Sequence, residues 1–198
     1  MLMADDTIEN KSAYSCKDLQ QHIIALEEAG LLHRINEAVN KDTELHALVR
    51  WQFRGGIAEK DRKAFYFSNV VDSKGRHFDM PVVVGALAAN SDIYRIGMDV
   101  PLEDIGHAWQ EAIANPIPPK EVKNAACQEL VLEGHDIDGE GKGLDSLPVP
   151  ISTPGFDSAP YLTAANFITR DPDNGIQNMG TYRGGLKSPT RKDGRMTT

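Results

Sequence analysis

A five-residue turn signal, Asp171-Pro172-Asp173-Asn174-Gly175, places the strongest constraint on how this chain folds. Proline presets φ, aspartate and asparagine side chains bond the local backbone, and glycine supplies a positive φ. The flanking stretches, residues 161–170 and 176–183, are predicted to be extended, so the sequence predicts a β-hairpin. Because a hairpin alone is marginal in water, we expect a partner or further chain to complete the sheet.

The first 120 residues alternate between helical and strand patterns. A helix is predicted to open near Ser15 and Asp18 and to end at Gly30. Further helices are predicted from Thr43, from Ser91 and over residues 102–115, and strands over residues 32–35, 64–71 and 81–87. Residues 81–87 are continuously apolar, which is typical of a strand buried on both faces and covered by helices. Trp51 and Trp109 occur at helical spacing among apolar residues and are expected in the core.

The character of the chain changes after three prolines at positions 116, 118 and 119. Residues 134–155 are rich in glycine and proline and are interpreted as loop. We therefore predict two domains: an α/β domain over residues 1–120 and the beginning of a β-rich domain over residues 121–198.

Charge and composition exclude several classes of protein. The net charge is −8, which argues against nucleic-acid binding and gives no attraction to anionic lipid. No apolar run approaches the roughly 20 residues that cross a bilayer, and the start has no basic signal-peptide region, so a cytoplasmic location is expected. Cys16 and Cys127 and the six histidines follow no metal-ligand spacing.

The most distinctive string for chemistry is QNMGTYR, residues 177–183. On a strand, Asn178, Gly180 and Tyr182 share one face. The glycine lets a ligand approach the backbone, the asparagine oxygen suits a hard divalent metal, and Arg183 suits a carboxylate or phosphate. From these residues alone, an anion or phosphate site and an ordinary turn-proximal strand with a solvated charge both remain open.

The ordered strings along the chain resemble the UbiD-type decarboxylases, which use prenylated FMN. The strings are DLQQHI at residue 18, DMPVVVGAL at 79, ANPIPP at 114, CQELVLEGHDIDG at 127, and TPGFDSAPYLTAANFITRDPDNGIQNMGTYR at 153. Glu140 to Lys142 interrupt the pattern before LPVP. Together the strings cover nearly the whole chain, and their order makes the resemblance specific.

The resemblance implies the fold of the second domain and the roles of individual residues. Residues 121–198 would begin a split β-barrel that binds prenylated FMN. Asn178 matches the asparagine that ligates a divalent metal, manganese, and Arg183 matches the catalytic arginine. The cofactor contacts that the resemblance implies are Thr181, Tyr182, Arg183, Arg195, Met196 and Thr197. A potassium ion is a further expected cofactor.

The resemblance also implies an activity. The protein would be a non-oxidative, reversible decarboxylase of an aromatic or unsaturated acid, with a phenolic acid as the expected substrate. Its partners would be the small aromatic acid, a flavin prenyltransferase that supplies the cofactor, and further copies in a homo-oligomer. The family's proton-handling carboxylates and metal-binding glutamate would follow Thr198, so the chain is expected to be inactive alone. A non-catalytic flavin-binding or scaffolding subunit stays open as the alternative, and a split-barrel flavin reductase explains only the hairpin.

Overall fold

The computed structural model describes residues 18–186 and the backbone of residues 196 and 197. The α-helices are α1 Leu19–Glu28, α2 Leu45–Arg54, α3 Ser91–Met98 and α4 Ile105–Ala114. Short 3-10 helices occur at Glu59–Asp61, Leu102–Asp104, Ala126–Gln128, Gly134–Asp136 and Gly143–Ser146. The strands are β1 Leu32–Ile35, β2 Val39–Asn40, β3 Ala64–Phe67, β4 Val70–Val71, β5 His77–Phe78, β6 Val82–Val84, β7 Tyr161–Arg170, β8 Gln177–Leu186 and β9 Met196–Thr197.

The chain divides into two compact units that interleave in sequence. Among the described residues, the first unit contains 18–33, 58–64 and 85–118, and the second contains 34–57, 65–84, 119–186 and 196–197. The mixed α/β character expected of the first 120 residues is confirmed. A domain boundary at residue 120 stays a prediction.

Two side-chain caps organise the first unit. Asp18 caps α1 by accepting a hydrogen bond from the Gln21 amide, and Asn90 caps α3 by accepting one from the Ile93 amide. Each bond satisfies an amide that has no partner within its helix. As predicted, α1 ends at glycine: Gly30 has a φ of 70°, a conformation that favours glycine. Ser15 lies outside the described residues.

The core of the second unit forms around α2 and two small sheets. The buried cluster consists of Val39, Leu45, Val49, Phe67, Val70 and Phe78. One sheet has the order β1-β3-β6 and another the order β2-β4-β5. Val39 and Asn40 pair in parallel with Val70 and Val71, which in turn pair antiparallel with β5.

The strand predicted over residues 81–87 is shorter and less buried than expected. β6 covers Val82–Val84, and all three valines are half-buried. β6 lies at the edge of its sheet and pairs antiparallel with β3. The prediction of burial on both faces is therefore wrong, because an edge strand has one neighbour and less cover.

The prediction that both tryptophans lie in the core is also wrong. Trp51 is 71% exposed and Trp109 is 50% exposed. α2 instead buries Leu45, Val49 and Gln52. The Trp109 indole N–H donates a hydrogen bond to the Tyr94 hydroxyl, so this ring is positioned at the surface. Helical periodicity identifies a face but does not establish what covers it.

The predicted hairpin is confirmed. β7 and β8 pair antiparallel, and β8 pairs antiparallel with β9 in a three-stranded sheet of order β7-β8-β9. The described residues form no closed barrel, so the split-barrel expectation is not confirmed.

In the described part of the chain, none of the helices has the length and apolar character that crossing a bilayer requires.

Candidate functional site

The turn between β7 and β8 is closed by backbone hydrogen bonds and by the Asp171 side chain. The Asp171 amide donates to the Ile176 carbonyl at 2.9 Å, and the Gly175 amide donates to the Asp171 carbonyl at 2.9 Å. The Asp171 carboxylate accepts a hydrogen bond from the Asp173 amide at 2.8 Å. Gly175 has a φ of 73°, which a side chain disfavours. These contacts fix the register of the hairpin locally.

That register divides the side chains of β7 and β8 between two faces. Three cross-strand pairs lie on what we call the Asn178 face: Thr169 with Asn178, Phe167 with Gly180, and Ala165 with Tyr182. Three others lie on what we call the Arg183 face: Arg170 with Gln177, Ile168 with Met179, and Asn166 with Thr181. A register shift in β7 between Leu162 and Ala165 separates these pairs from Tyr161, which pairs with Gly185.

Arg183 follows Tyr182 on β8, and because side chains alternate along a strand it lies on the Arg183 face. Its guanidinium carbon is 5.0 Å from the centre of the Tyr161 ring, within the range of a cation–π contact. Next along this face, the Thr181 hydroxyl donates to the Asn166 side-chain oxygen at 3.1 Å. The face therefore presents a cation, then two polar side chains.

An exposed apolar pair continues the Arg183 face toward the turn. Ile168 is 65% exposed and its cross-strand partner Met179 is 66% exposed. These two side chains form a small exposed apolar step on the face. The face thus combines an apolar step with polar and cationic groups, which suits a planar ligand that carries polar edges and an acid.

On the Asn178 face, Gly180 is explained by packing. The Tyr182 ring lies over Gly180, so a Cβ at this position would collide with the ring. Tyr182 also contacts Phe167 edge-to-face, with ring centres 5.9 Å apart. The sequence interpretation, in which the glycine leaves room for a ligand, is not supported, because Tyr182 fills that space.

The structure brings some of the predicted site residues together and separates others. Thr181 and Arg183 share a face, whereas Asn178 and Tyr182 lie on the opposite one. Asn178 and Arg183 are five residues apart on β8, which separates them by about 17 Å along the strand. Met196 pairs with Leu186 and Thr197 with Gly185 through their backbones. Arg195 lies outside the described residues.

Two residues that hold the segment leading into the hairpin were missed by sequence reasoning. Tyr161 is one, and its amide donates to the Pro150 carbonyl at 3.1 Å. Arg50 on α2 is the other, donating to the Ser152 carbonyl at 3.0 Å and the Thr153 hydroxyl at 2.8 Å. Arg50 and Thr153 are 103 positions apart, so no local spacing signals their contact. Together these bonds hold the segment that leads into β7.

A second polar cluster anchors the loop before the hairpin. Arg76 contacts Asp145 at 2.8 Å and Asp72 at 3.2 Å. Burial acts to raise the pKa of Asp145, but hydrogen bonds from Arg76 and the Gly141 amide outweigh it, and the pKa is lowered overall. Burial likewise acts to raise the pKa of Asp72, and the Arg76 and Lys74 amides and nearby cations lower it overall. Both carboxylates are thus stabilised in the charged form.

The described residues form no metal cluster of His, Cys, Asp and Glu. The acidic segment over residues 133–138 is exposed apart from Asp138 and contains a 3-10 helix at Gly134–Asp136. Asn178 is exposed beside its cross-strand partner Thr169. The described part of this face therefore offers oxygen donors of the kind that Mn²⁺ or Mg²⁺ accepts, but not a complete set of ligands.

Two family models match this chain. Residues 23–113 match the N-terminal domain of 3-octaprenyl-4-hydroxybenzoate carboxy-lyase, and residues 120–196 match the Rift-related domain of the same enzyme. Together these two ranges cover most of the chain. The chain belongs to the UbiD family, of which it contains the N-terminal part.

Solved structures of this family superpose on the chain. The UbiD-class enzyme HmfF from Pelotomaculum thermopropionicum, in complex with FMN, is 30% identical with a TM-score of 0.69, over 86% of this chain and 34% of that one. An evolved dimeric form of HmfF in complex with prFMN is 30% identical with a TM-score of 0.71, over 88% of this chain and 37% of that one.

A third similar structure is vanillic acid decarboxylase from Sedimentibacter hydroxybenzoicus in its open form. It is 25% identical with a TM-score of 0.68, over 88% of this chain and 36% of that one. The chain therefore spans about a third of the length of these three proteins. Each is either a UbiD-class enzyme that holds a flavin or a decarboxylase of an aromatic acid.

Proposed function

We propose that this chain supplies part of the prenylated-FMN site of a reversible, non-oxidative decarboxylase that acts on an aromatic or unsaturated acid, with a phenolic acid as the favoured substrate. The observation that carries the proposal is the Arg183 face, where a cation, two polar side chains and an exposed apolar pair follow one another. The flavin complexes of HmfF support the choice of cofactor.

The residues of the Arg183 face fit a flavin. Ile168 and Met179 offer an apolar surface to a planar ring, and the Asn166 amide and Thr181 hydroxyl offer bonds to its polar edge. We propose Thr181 and Arg183 as cofactor contacts on this face, and, on the family resemblance, Arg195, Met196 and Thr197 as further cofactor contacts. Tyr182 would contribute from the opposite face by fixing the strand through its packing on Gly180.

Arg183 is proposed as the catalytic residue. Losing CO2 leaves a carbanion, and prenylated FMN, when bound, supplies the electron sink. Arg183 would hold the substrate carboxylate in line with the cofactor and offset its charge. The described part of the Arg183 face contains no Asp, Glu or His. The acid that protonates the product would therefore come from other parts of the protein.

Asn178 is proposed as one ligand of a divalent metal, manganese. Its amide oxygen is a suitable hard donor, but the described residues provide no carboxylate beside it. The remaining ligands would have to come from outside the described residues, as would the site of any potassium ion. Asn178 serves retention of the cofactor rather than turnover.

A non-catalytic flavin-binding or scaffolding subunit is the alternative, favoured by the lack of Asp, Glu and His on the described part of the Arg183 face. In either case we propose two domains, residues 1–120 and 121–198, a division that the family matches at 23–113 and 120–196 support. A cytoplasmic homo-oligomer that receives its cofactor from a flavin prenyltransferase completes the proposal.

The test is to co-express the chain with a flavin prenyltransferase and to record its absorbance, its mass spectrum and its turnover of a panel of aromatic acids. Bound prenylated FMN without turnover would support either an inactive part of a larger enzyme or the non-catalytic subunit alternative. Arg183→Ala should abolish turnover of the enzyme restored to full length, and Arg170→Ala, which removes the same charge at the hairpin tip, should not.

Asn178→Ala should reduce the retained metal and cofactor, and Gln177→Ala, which removes a neighbouring amide from the other face, should not. If no flavin is retained even by the full-length enzyme, the proposed function is wrong.

A further inference from the structure

The Arg183 guanidinium is held by an aromatic ring rather than by an acid. Its central carbon lies 5.0 Å from the centre of the Tyr161 ring. No ion pair of Arg183 occurs among the described residues. An arginine on an aromatic face keeps its N–H donors in the plane of the guanidinium, where they remain available to a ligand.

Tyr161 is itself fixed at the base of the hairpin. Its amide donates to the Pro150 carbonyl, and the Leu186 amide donates to the carbonyl of the preceding Pro160 at 2.9 Å. Tyr161 is half-buried, whereas Arg183 is exposed. The ring is therefore the anchored member of the pair and the arginine is the exposed member.

The register shift in β7 explains how the two side chains meet. Tyr161 pairs with Gly185 and Ala165 pairs with Tyr182, so β7 carries an extra residue in this interval. Such a bulge re-aims side chains on its own strand while the partner strand continues regularly. Gly185 has no side chain, so the residue paired with Tyr161 places no side chain between the ring and Arg183, two residues along β8 on the same face.

From these contacts we infer that Tyr161 is a positioning residue for Arg183, holding the guanidinium over its ring so that its N–H donors face an acidic or carbonyl group of a ligand bound on the Arg183 face. The effect of Tyr161 on ligand binding rests on the proposed function, but the contact between Tyr161 and Arg183 does not. The phenol hydroxyl has no part in it, so phenylalanine should replace tyrosine without loss.

The first test follows the side-chain Nε–H signal of Arg183 by NMR in the full chain without ligand. The ring should shift and sharpen this signal, Tyr161→Met should return it to the position of a free arginine, and Tyr161→Phe should preserve it. Thermal unfolding of each variant checks that the fold is retained, and should Tyr161→Met not fold, Tyr161→Leu takes its place. An Arg183 signal that is the same in the wild type and in Tyr161→Met would overturn the inference.

The second test measures FMN affinity in a double-mutant cycle. Tyr161→Met should weaken FMN binding about two- to fivefold, the range that a partly exposed cation–π contact provides. In an Arg183→Ala background the same change should have almost no effect, because a positioning residue acts only through its partner. Equal weakening in both backgrounds would show that Tyr161 contacts the ligand directly and would overturn the positioning role.

The two tests separate the two claims. If the wild-type chain binds no FMN while its Arg183 signal depends on Tyr161, the proposed function fails and the positioning role stands. If FMN binds and the cycle shows no coupling, the positioning role fails and the proposed function stands.

Discussion

Asn178 and Arg183, the two residues with the most specific proposed roles, lie on opposite faces of β8. The unbroken register from Gln177 to Tyr182 fixes this relationship. A ligand on one face does not contact the other without passing the end or the edge of the sheet. The proposed metal-binding role of Asn178 and the proposed carboxylate-binding role of Arg183 can therefore be separated by mutation.

Additive effects are the first expectation from this separation. Asn178→Ala and Arg183→Ala should each weaken retention of the cofactor, and the double variant should show the sum of the two free-energy changes to within about 0.5 kcal/mol. Flavin affinity, measured by fluorescence quenching with Mn²⁺ present so that the contribution of Asn178 is included, gives all four values. A coupling above about 1 kcal/mol would mean that both side chains contact one compact group, which the register does not allow.

Gly180 should not tolerate a larger residue. Gly180→Ala places a Cβ inside the space of the Tyr182 ring, and displacing that ring should cost about 1–3 kcal/mol. Chemical unfolding gives this cost. In a Tyr182→Ala background, Gly180→Ala should cost much less, because the ring that it displaces is absent. Gly106→Ala in α4 is the matched control, because its Cβ meets nothing within 4 Å; it should be neutral or stabilising.

The Arg76 contacts should matter more than a surface ion pair. Asp72 is 7% exposed and Asp145 is 14% exposed at their side chains, so Arg76→Met would leave two poorly hydrated carboxylates without their cation. We expect a loss of about 2–4 kcal/mol in the free energy of unfolding. Lys74→Gln, which breaks the exposed pair with Glu140, should leave the unfolding midpoint unchanged. Equal effects of the two changes would contradict this account.

Acid should destabilise the protein through the same two carboxylates. The pKa values of Asp72 and Asp145 are lowered in the folded state, so the unfolded state binds more protons as the pH falls. Their contribution is complete above the unfolded value of about 3.9 and is lost as the pH drops through the lower folded values. Urea midpoints between pH 6 and pH 3 should fall mainly below pH 4, and Asp145→Asn should flatten that decline. An unchanged slope in Asp145→Asn would contradict the assignment.

Local chemistry made much of the fold predictable. The Asp171 to Gly175 turn and the glycine that ends α1 each depend on a few adjacent residues, and their elements occur where the sequence predicts them. The shared face of Asn178, Gly180 and Tyr182 follows from strand alternation alone. The family resemblance, which depends on ordered strings along the chain, is confirmed by the two family matches.

Burial and contacts that depend on distant parts of the chain could not be predicted in the same way. Trp51 has core-like neighbours in sequence but is exposed, because its side of α2 is not the side that meets the core cluster. The contacts of Arg50 with Thr153 and of Arg76 with Asp145 join distant positions whose spacing carries no signal. The contact between the Tyr161 ring and Arg183 depends on a β-bulge in β7. The bulge shifts the strand pairing by one residue, and no sequence pattern marks its position.

The most direct test of the central claim is an NMR titration of the isotope-labelled full chain with FMN in the absence of metal, following side-chain amides. Asn166 lies on the Arg183 face and Asn178 on the other. We predict that the Asn166 amide and the Arg183 Nε–H signal shift together with one dissociation constant, while the Asn178 amide remains in place. Shifts at Asn178 without shifts at Asn166 and Arg183 would contradict the assignment of the flavin to the Arg183 face.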